Sequence, residues 1–141
     1  FTAAGPYRFK MVSRLPGNEL RLDEYNQWAQ PPAALLERFV RQAFPAEASA
    51  SVEITGEILG FEADLTGSEP KAVIEADYQF RDRTGSGTPA AIRHFRAEVP
   101  LSEYNGAAFA AAMTMAAGQL VENLRRNLAE LSEPTPERPT P

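Results

Sequence analysis

The chain has 141 residues, 43% of them hydrophobic and 23% charged, with a formal net charge of −5. That length is one domain with enough interior to hold a core without staples, and the acidic balance argues against a nucleic-acid partner, which leaves a basic footprint. No cysteine is present, so disulfides, thiolate nucleophiles and Cys-based metal sites are excluded within it. No apolar run is long enough to span a bilayer. The sequence opens at Phe1, not at Met. It therefore reads as a processed or trimmed fragment, with any membrane anchor expected upstream.

In chain order, residues 7–14 predict a short strand carrying Arg8, Lys10 and Arg14, for which a solvated strand edge is the default. Pro16-Gly17-Asn18 predicts a turn, because Pro presets φ while Gly and Asn tolerate positive φ. Residues 19–25 alternate, with Leu20 and Leu22 inward and Glu19, Arg21 and Asp23 outward. Trp28, the single tryptophan, falls in the connection to a helix opened by Pro31-Pro32. A lone Trp there reads as a core anchor with its indole N–H bonded to a backbone carbonyl; a partner-binding Trp would stand exposed. Leu35, Leu36, Phe39, Val40 and Ala43 follow at helical spacing, and Pro45 stops the helix before a loop at 46–50.

Three longer strands are expected next. Residues 52–65 alternate until Ile58-Leu59-Gly60-Phe61, where parity is lost; a bulge at Gly60 or burial on both faces explains the break. In the second strand Ala72, Ile74, Ala76, Tyr78 and Phe80 alternate with polar neighbours. A flexible loop at 84–88 then leads into residues 91–99, with Phe95, Ala97 and Val99 on one face. These three read as an antiparallel meander whose other face, with Glu53, Thr55, Glu57, Glu75, Asp77, Gln79 and Arg93, is polar enough for water. Ser102 or Asn105 caps a long helix over 107–131, where Phe109, Met113, Ala116, Leu120, Leu124, Leu128 and Leu131 form one stripe. Residues 132–141 are Pro-rich and read as a disordered tail. The expectation is one domain over 1–131, an α/β or alternatively α+β fold with two helices covering one sheet face.

No catalytic constellation emerges. His94 is the only histidine and no Ser or Asp is tied to it by spacing, so it reads as a surface or inter-strand residue. The carboxylates Glu53, Glu57, Glu62 and Asp64 alternate along a strand, whereas paired acid–base chemistry needs two carboxyls across a cleft. Gly85-Ser86-Gly87 lacks the context of a phosphate loop. No metal or cofactor site is assigned. Leu59 and Phe61, left unmatched by the parity break, are candidates for lining an apolar groove.

Taken together, the basic strand ending at Arg14, the strand ending at Tyr25, Trp28-Ala29-Gln30-Pro31, Pro32 and Leu35-Leu36 resemble the ABC-type transport auxiliary lipoprotein family, which includes the paraquat-inducible protein C (PqiC-like) type. The resemblance extends over residues 7–131 and takes in the Ala-rich opening of the last helix. It implies a single domain with a mixed, mostly antiparallel sheet packed with two main helices, similar to anticodon-binding domains. It further implies a non-catalytic periplasmic component of an envelope lipid-transport system. Its partners would be an MCE-domain protein and an inner-membrane ABC transporter, with a homo-oligomer as an option. The anchor would be a lipidated Cys upstream, holding the domain at the outer membrane. The alternative function is a lipid- or small-ligand-binding periplasmic module.

Overall fold

The computed structural model describes residues 1–44, 52–82 and 91–132. The elements run β1 (Thr2–Ala3), a 3-10 turn (Gly5–Tyr7), β2 (Lys10–Arg14), β3 (Leu20–Gln27), α1 (Pro32–Ala43), β4 (Val52–Asp64), β5 (Lys71–Asp82), β6 (Arg93–Pro100) and α2 (Gly106–Ser132). The strands form one mixed sheet in the order β3-β2-β4-β5-β6. β1 and β2 lie end to end along the outer side of β4 and pair with it in parallel, and all other pairings are antiparallel. The fold is thus a single α/β domain with a mixed, mostly antiparallel sheet and two main helices. The loops expected at 46–50 and 84–88 lie outside the described residues, as do residues 133–141 of the expected tail. Ser132, placed at the start of that tail, closes α2 instead.

Local chemistry explains the boundaries. Gly17 and Asn18 take positive φ (92° and 62°) in the β2–β3 turn, as their small or amide side chains permit. Pro32 begins α1 where no N–H partner is needed, and the helix ends with the Phe44 N–H donating to Val40 O at 2.9 Å. Asn105, one of the two expected caps, holds the start of α2: its Oδ1 accepts from the Ala108 N–H at 2.8 Å. In β4 the register to β5 shifts between Ile58 and Gly60. Leu59 is the extra residue, and the parity break is a bulge.

The core lies between the sheet and the helices. Ile58, Phe61, Ala63, Ala72, Ile74, Tyr78, Phe95, Ala97 and Val99 pack from the sheet, and Phe109, Met113, Ala116, Leu120 and Leu124 from α2. Tyr78 ties the layers together by donating to Asn123 Oδ1 of α2 at 2.6 Å and accepting from Asn127.

Three expectations fail here. Residues 7–9 do not open the strand expected over 7–14: Tyr7 closes the 3-10 turn, β2 begins at Lys10, and a further short strand, β1, precedes the turn. Leu22 is 49% exposed instead of inward. β3 is an edge strand whose pairing slips, so that Lys10 faces Gln27 while Val12 faces Leu22. Among the described residues no helix covers the face onto which this register turns Leu22. Arg93 does not face water on the charged side. It pairs opposite Tyr78 and donates to Asn127 Oδ1 of α2 at 3.2 Å, because it shares strand parity with Phe95, Ala97 and Val99.

Candidate functional site

Trp28 ends the β3–α1 approach. Its backbone N–H donates to Phe9 O at 3.0 Å. Its ring packs edge-on against Phe61 and tilted against Phe109, both with centroids at 5.1 Å. At 8% exposure it is the core anchor. The expected carbonyl partner is missing, however: Nε1 is buried and meets no acceptor. Such an orphan is uncommon, since buried donors are nearly always paired.

Beside the indole, an apolar cavity of about 300 Å³ opens between α1, α2 and the sheet. Leu35, Leu36 and Phe39 wall it from α1, and Ala110, Met113 and Ala117 from α2. Met11, Trp28 and Phe61 close the remainder. Gln27 and Thr114 are its polar side chains, and the Thr114 hydroxyl already donates to Ala110 O at 3.1 Å. Phe61 of the expected groove pair lines this cavity; Leu59 does not, because the bulge carries it out of register. Both residues of the Leu35-Leu36 pair line it, whereas Pro31 and Pro32 set the start of α1. Tyr25 lies within β3.

Arg14 heads a separate polar cluster on the opposite face. Its Nε and Nη2 donate to the two carboxylate oxygens of Glu62 at 2.7 and 2.9 Å, and the Tyr7 hydroxyl donates to Glu62 Oε1 at 3.0 Å. Glu62 is buried, so the forked guanidinium compensates a charge that would otherwise be costly. Burial, with the Glu62 carboxylate beside it, pushes the Tyr7 hydroxyl up to about 12. The Glu62 hydrogen bonds raise Arg14 above its ordinary value. The sequence singled out Arg14 but missed Tyr7 and Glu62 as its partners. A glutamate placed between Phe61 and Ala63, both buried, was the available signal.

Across β5 and β6 the same face carries a continuous run of charge. His94 lies between Asp77 Oδ1 (2.7 Å from Nδ1) and Glu75 Oε1 (3.2 Å from Nε2). Arg96 bridges Glu75 at 2.8 Å and Glu98 at 3.1 Å, and Lys71 meets Glu98 at 3.1 Å. The Lys71 and Arg96 hydrogen bonds hold the Glu98 carboxyl below the usual carboxylate range. Burial pushes Asp64 up, but its bonds from Thr66 and the charges of Lys71 and Arg96 more than reverse this, so it too lies below that range. Exposed pairs of this kind add little stability singly; here they cover the sheet with alternating sign. His94 is thus an inter-strand residue with a carboxylate at each ring nitrogen. Among the described residues no group of three or more His, Asp or Glu side chains could hold a metal ion. No helix among them is long and apolar enough to cross a membrane.

A mixed sheet with both helices on one face, a cavity between them and a charged face behind defines the chain as a two-layer α/β domain. A family model described as "ABC-type transport auxiliary lipoprotein component" matches residues 8–124, and the chain belongs to that family. No curated protein matches. Among solved structures, protein XCC0632 from Xanthomonas campestris, of the DUF330 family, is 28% identical with a TM-score of 0.78, covering 87% of this chain and 76% of that one. An uncharacterized protein at 14% identity superposes with a TM-score of 0.74 over 90% of this chain and 86% of its own. A candidate lipoprotein from Caulobacter crescentus CB15 is 15% identical with a TM-score of 0.51, covering 72% and 85%. These last two speak for the fold alone.

Proposed function

We propose that this domain is a non-catalytic periplasmic component of an envelope lipid-transport system, held at the outer membrane by a lipidated cysteine preceding the described segment. In this role it docks with an MCE-domain protein served by an inner-membrane ABC transporter. The observation that carries the reading is the match of residues 8–124 to a transport auxiliary lipoprotein family. The geometry supports it. Among the described residues both outer strands, β3 and β6, lack a neighbour on one side, and an open strand edge is a template for a partner chain. The run of Lys71, Glu75, Asp77, His94, Arg96 and Glu98 next to β6 offers both signs of charge, which sets register and partner choice more than affinity. A homo-oligomer built through the same edges is part of this proposal.

The test is site-specific photo-crosslinking in intact cells from exposed positions on β3 and β6 of the full-length protein. The expected product is a crosslink to an MCE-domain protein, lost on Arg96→Glu with Lys71→Glu. Crosslinks that never include an MCE-domain or ABC-transporter subunit would overturn the assignment. The native mass of the protein in detergent-free buffer then separates a ring-forming collar from a monomeric adaptor.

A further inference from the structure

We propose that the cavity between α1, α2 and the sheet is a binding site for a single acyl chain bearing one acceptor oxygen, with Trp28 supplying the hydrogen bond to that oxygen. Two independent observations meet here. The first is the lining. Leu35, Leu36, Phe39, Phe61, Met11 and Met113 surround about 300 Å³, and among the described residues no charged side chain is in the walls. That volume is at the lower end of the range for ligand sites, about 300 to 1,000 Å³. It holds about ten water-sized groups at roughly 30 Å³ each, which suits one aliphatic chain and excludes a two-chain lipid with its headgroup. The second is the indole N–H of Trp28, the one buried side-chain polar atom among the described residues without a partner. A buried donor left unmet carries a desolvation cost, and an acceptor oxygen at the end of an otherwise apolar ligand removes that cost.

Several features favour an acyl chain over an inserted protein side chain. Among the described residues the walls present little that reads a peptide: Thr114 already donates to Ala110 O, which leaves Gln27 as the other polar side chain. Ala110 and Ala117, seven residues apart on one face of α2, make the space by being small. Met11 and Met113 are unbranched and adapt to a flexible guest. Nε1 has no accessible surface of its own, so a ligand oxygen reaches it only after the indole and its neighbours shift. The far end of α1 is held to α2 partly by Arg125 stacked over the Phe44 ring at 5.8 Å. That contact can loosen without breaking a backbone hydrogen bond.

Because Trp28 is the only tryptophan, its fluorescence reports this cavity alone. The experiment titrates the protein with bromine-labelled saturated fatty acids of graded length, and in parallel with vesicles of bromine-labelled phospholipid, reading Trp28 quenching. Saturable quenching is expected, with affinity levelling off near about ten carbons, the length set by the cavity volume. Ala117→Phe, which fills the cavity, is expected to abolish it while circular dichroism and the melting curve show a folded protein. Should that variant fail to fold, Ala110→Leu at the half-buried wall makes the same test. Trp28→Phe, followed by displacement of a fluorescent fatty acid, is expected to bind about 5- to 10-fold more weakly through loss of the N–H. Quenching by free acid identifies a fatty acid as the occupant, and quenching by vesicles alone identifies a chain drawn from a membrane lipid. Absence of quenching from both sources, or equal quenching in the filled variant, overturns the proposal. Either failure leaves the family assignment and the docking reading untouched, because neither depends on the cavity.

Discussion

Removing Arg14 puts the polar cluster of the far face under direct test. Glu62 accepts two hydrogen bonds from the guanidinium and one from Tyr7, with its side chain 7% exposed against 29% for Arg14. Arg14→Ala leaves a buried carboxylate with Tyr7 as its remaining partner. Breaking a buried pair from one side costs about 3 to 5 kcal/mol. The partial exposure of Arg14 lets water into the vacated space, so the lower end, about 3 kcal/mol, is expected. For a domain of this size that is a fall in Tm of roughly 10 °C. The assay is urea unfolding followed by Trp28 fluorescence on Arg14→Ala, Glu62→Ala and the double variant. A coupling of at least about 1 kcal/mol is expected, as for residues sharing one network. A triple replacement, Arg14→Met, Glu62→Leu and Tyr7→Phe, removes every member together and is expected to be more stable than Arg14→Ala alone. Strict additivity of the two single losses would refute the reasoning, because the pair would then be no more than two independent surface side chains.

The same cluster has a pH signature. Tyr7 keeps its proton to about pH 12 in the folded protein but to about 10 when unfolded. Its contribution is therefore complete below pH 10 and lost as pH rises through 12; Tyr7→Phe should flatten this alkaline slope in melting curves. Asn105→Ala removes the acceptor for the Ala108 N–H and is expected to cost about 1 kcal/mol, measured by urea unfolding. Gly56→Ala would place a Cβ 2.5 Å from a Phe1 ring carbon and 2.9 Å from the Asp77 carbonyl oxygen. A loss of about 1 to 3 kcal/mol is expected, with faster amide exchange in β1 than in β5; unchanged exchange in β1 would contradict the packing of Phe1 against Gly56.

Much of the architecture was legible because alternation and helical spacing are written residue by residue. The stripe from Phe109 through Leu124 predicted the buried face of α2, and Phe95, Ala97 and Val99 that of β6. The loss of parity over residues 58–61 left a bulge at Gly60 or burial on both faces open, and the register shows a bulge whose extra residue is Leu59. The family resemblance rested on Trp28 and its neighbours, and the family match supports it. Misreadings arose where pattern gives no depth. Leu22 alternates like a core residue but sits on an edge strand past the cover of the helices. Arg93 looks like a residue for water yet reaches α2, because strand parity outranks polarity.

By itself, the sequence determined where the longer strands and the two helices lie, which side of β5, β6 and α2 is apolar, and the absence of thiol chemistry, since these depend on local spacing and residue type. Only the tertiary structure decided that β1 and β2 both run parallel to β4, that Tyr7 and Arg14 converge on Glu62 from 55 and 48 residues away, and that a cavity forms beside an unpaired indole. Each of these is set by how distant segments close on one another, and no local pattern encodes that distance.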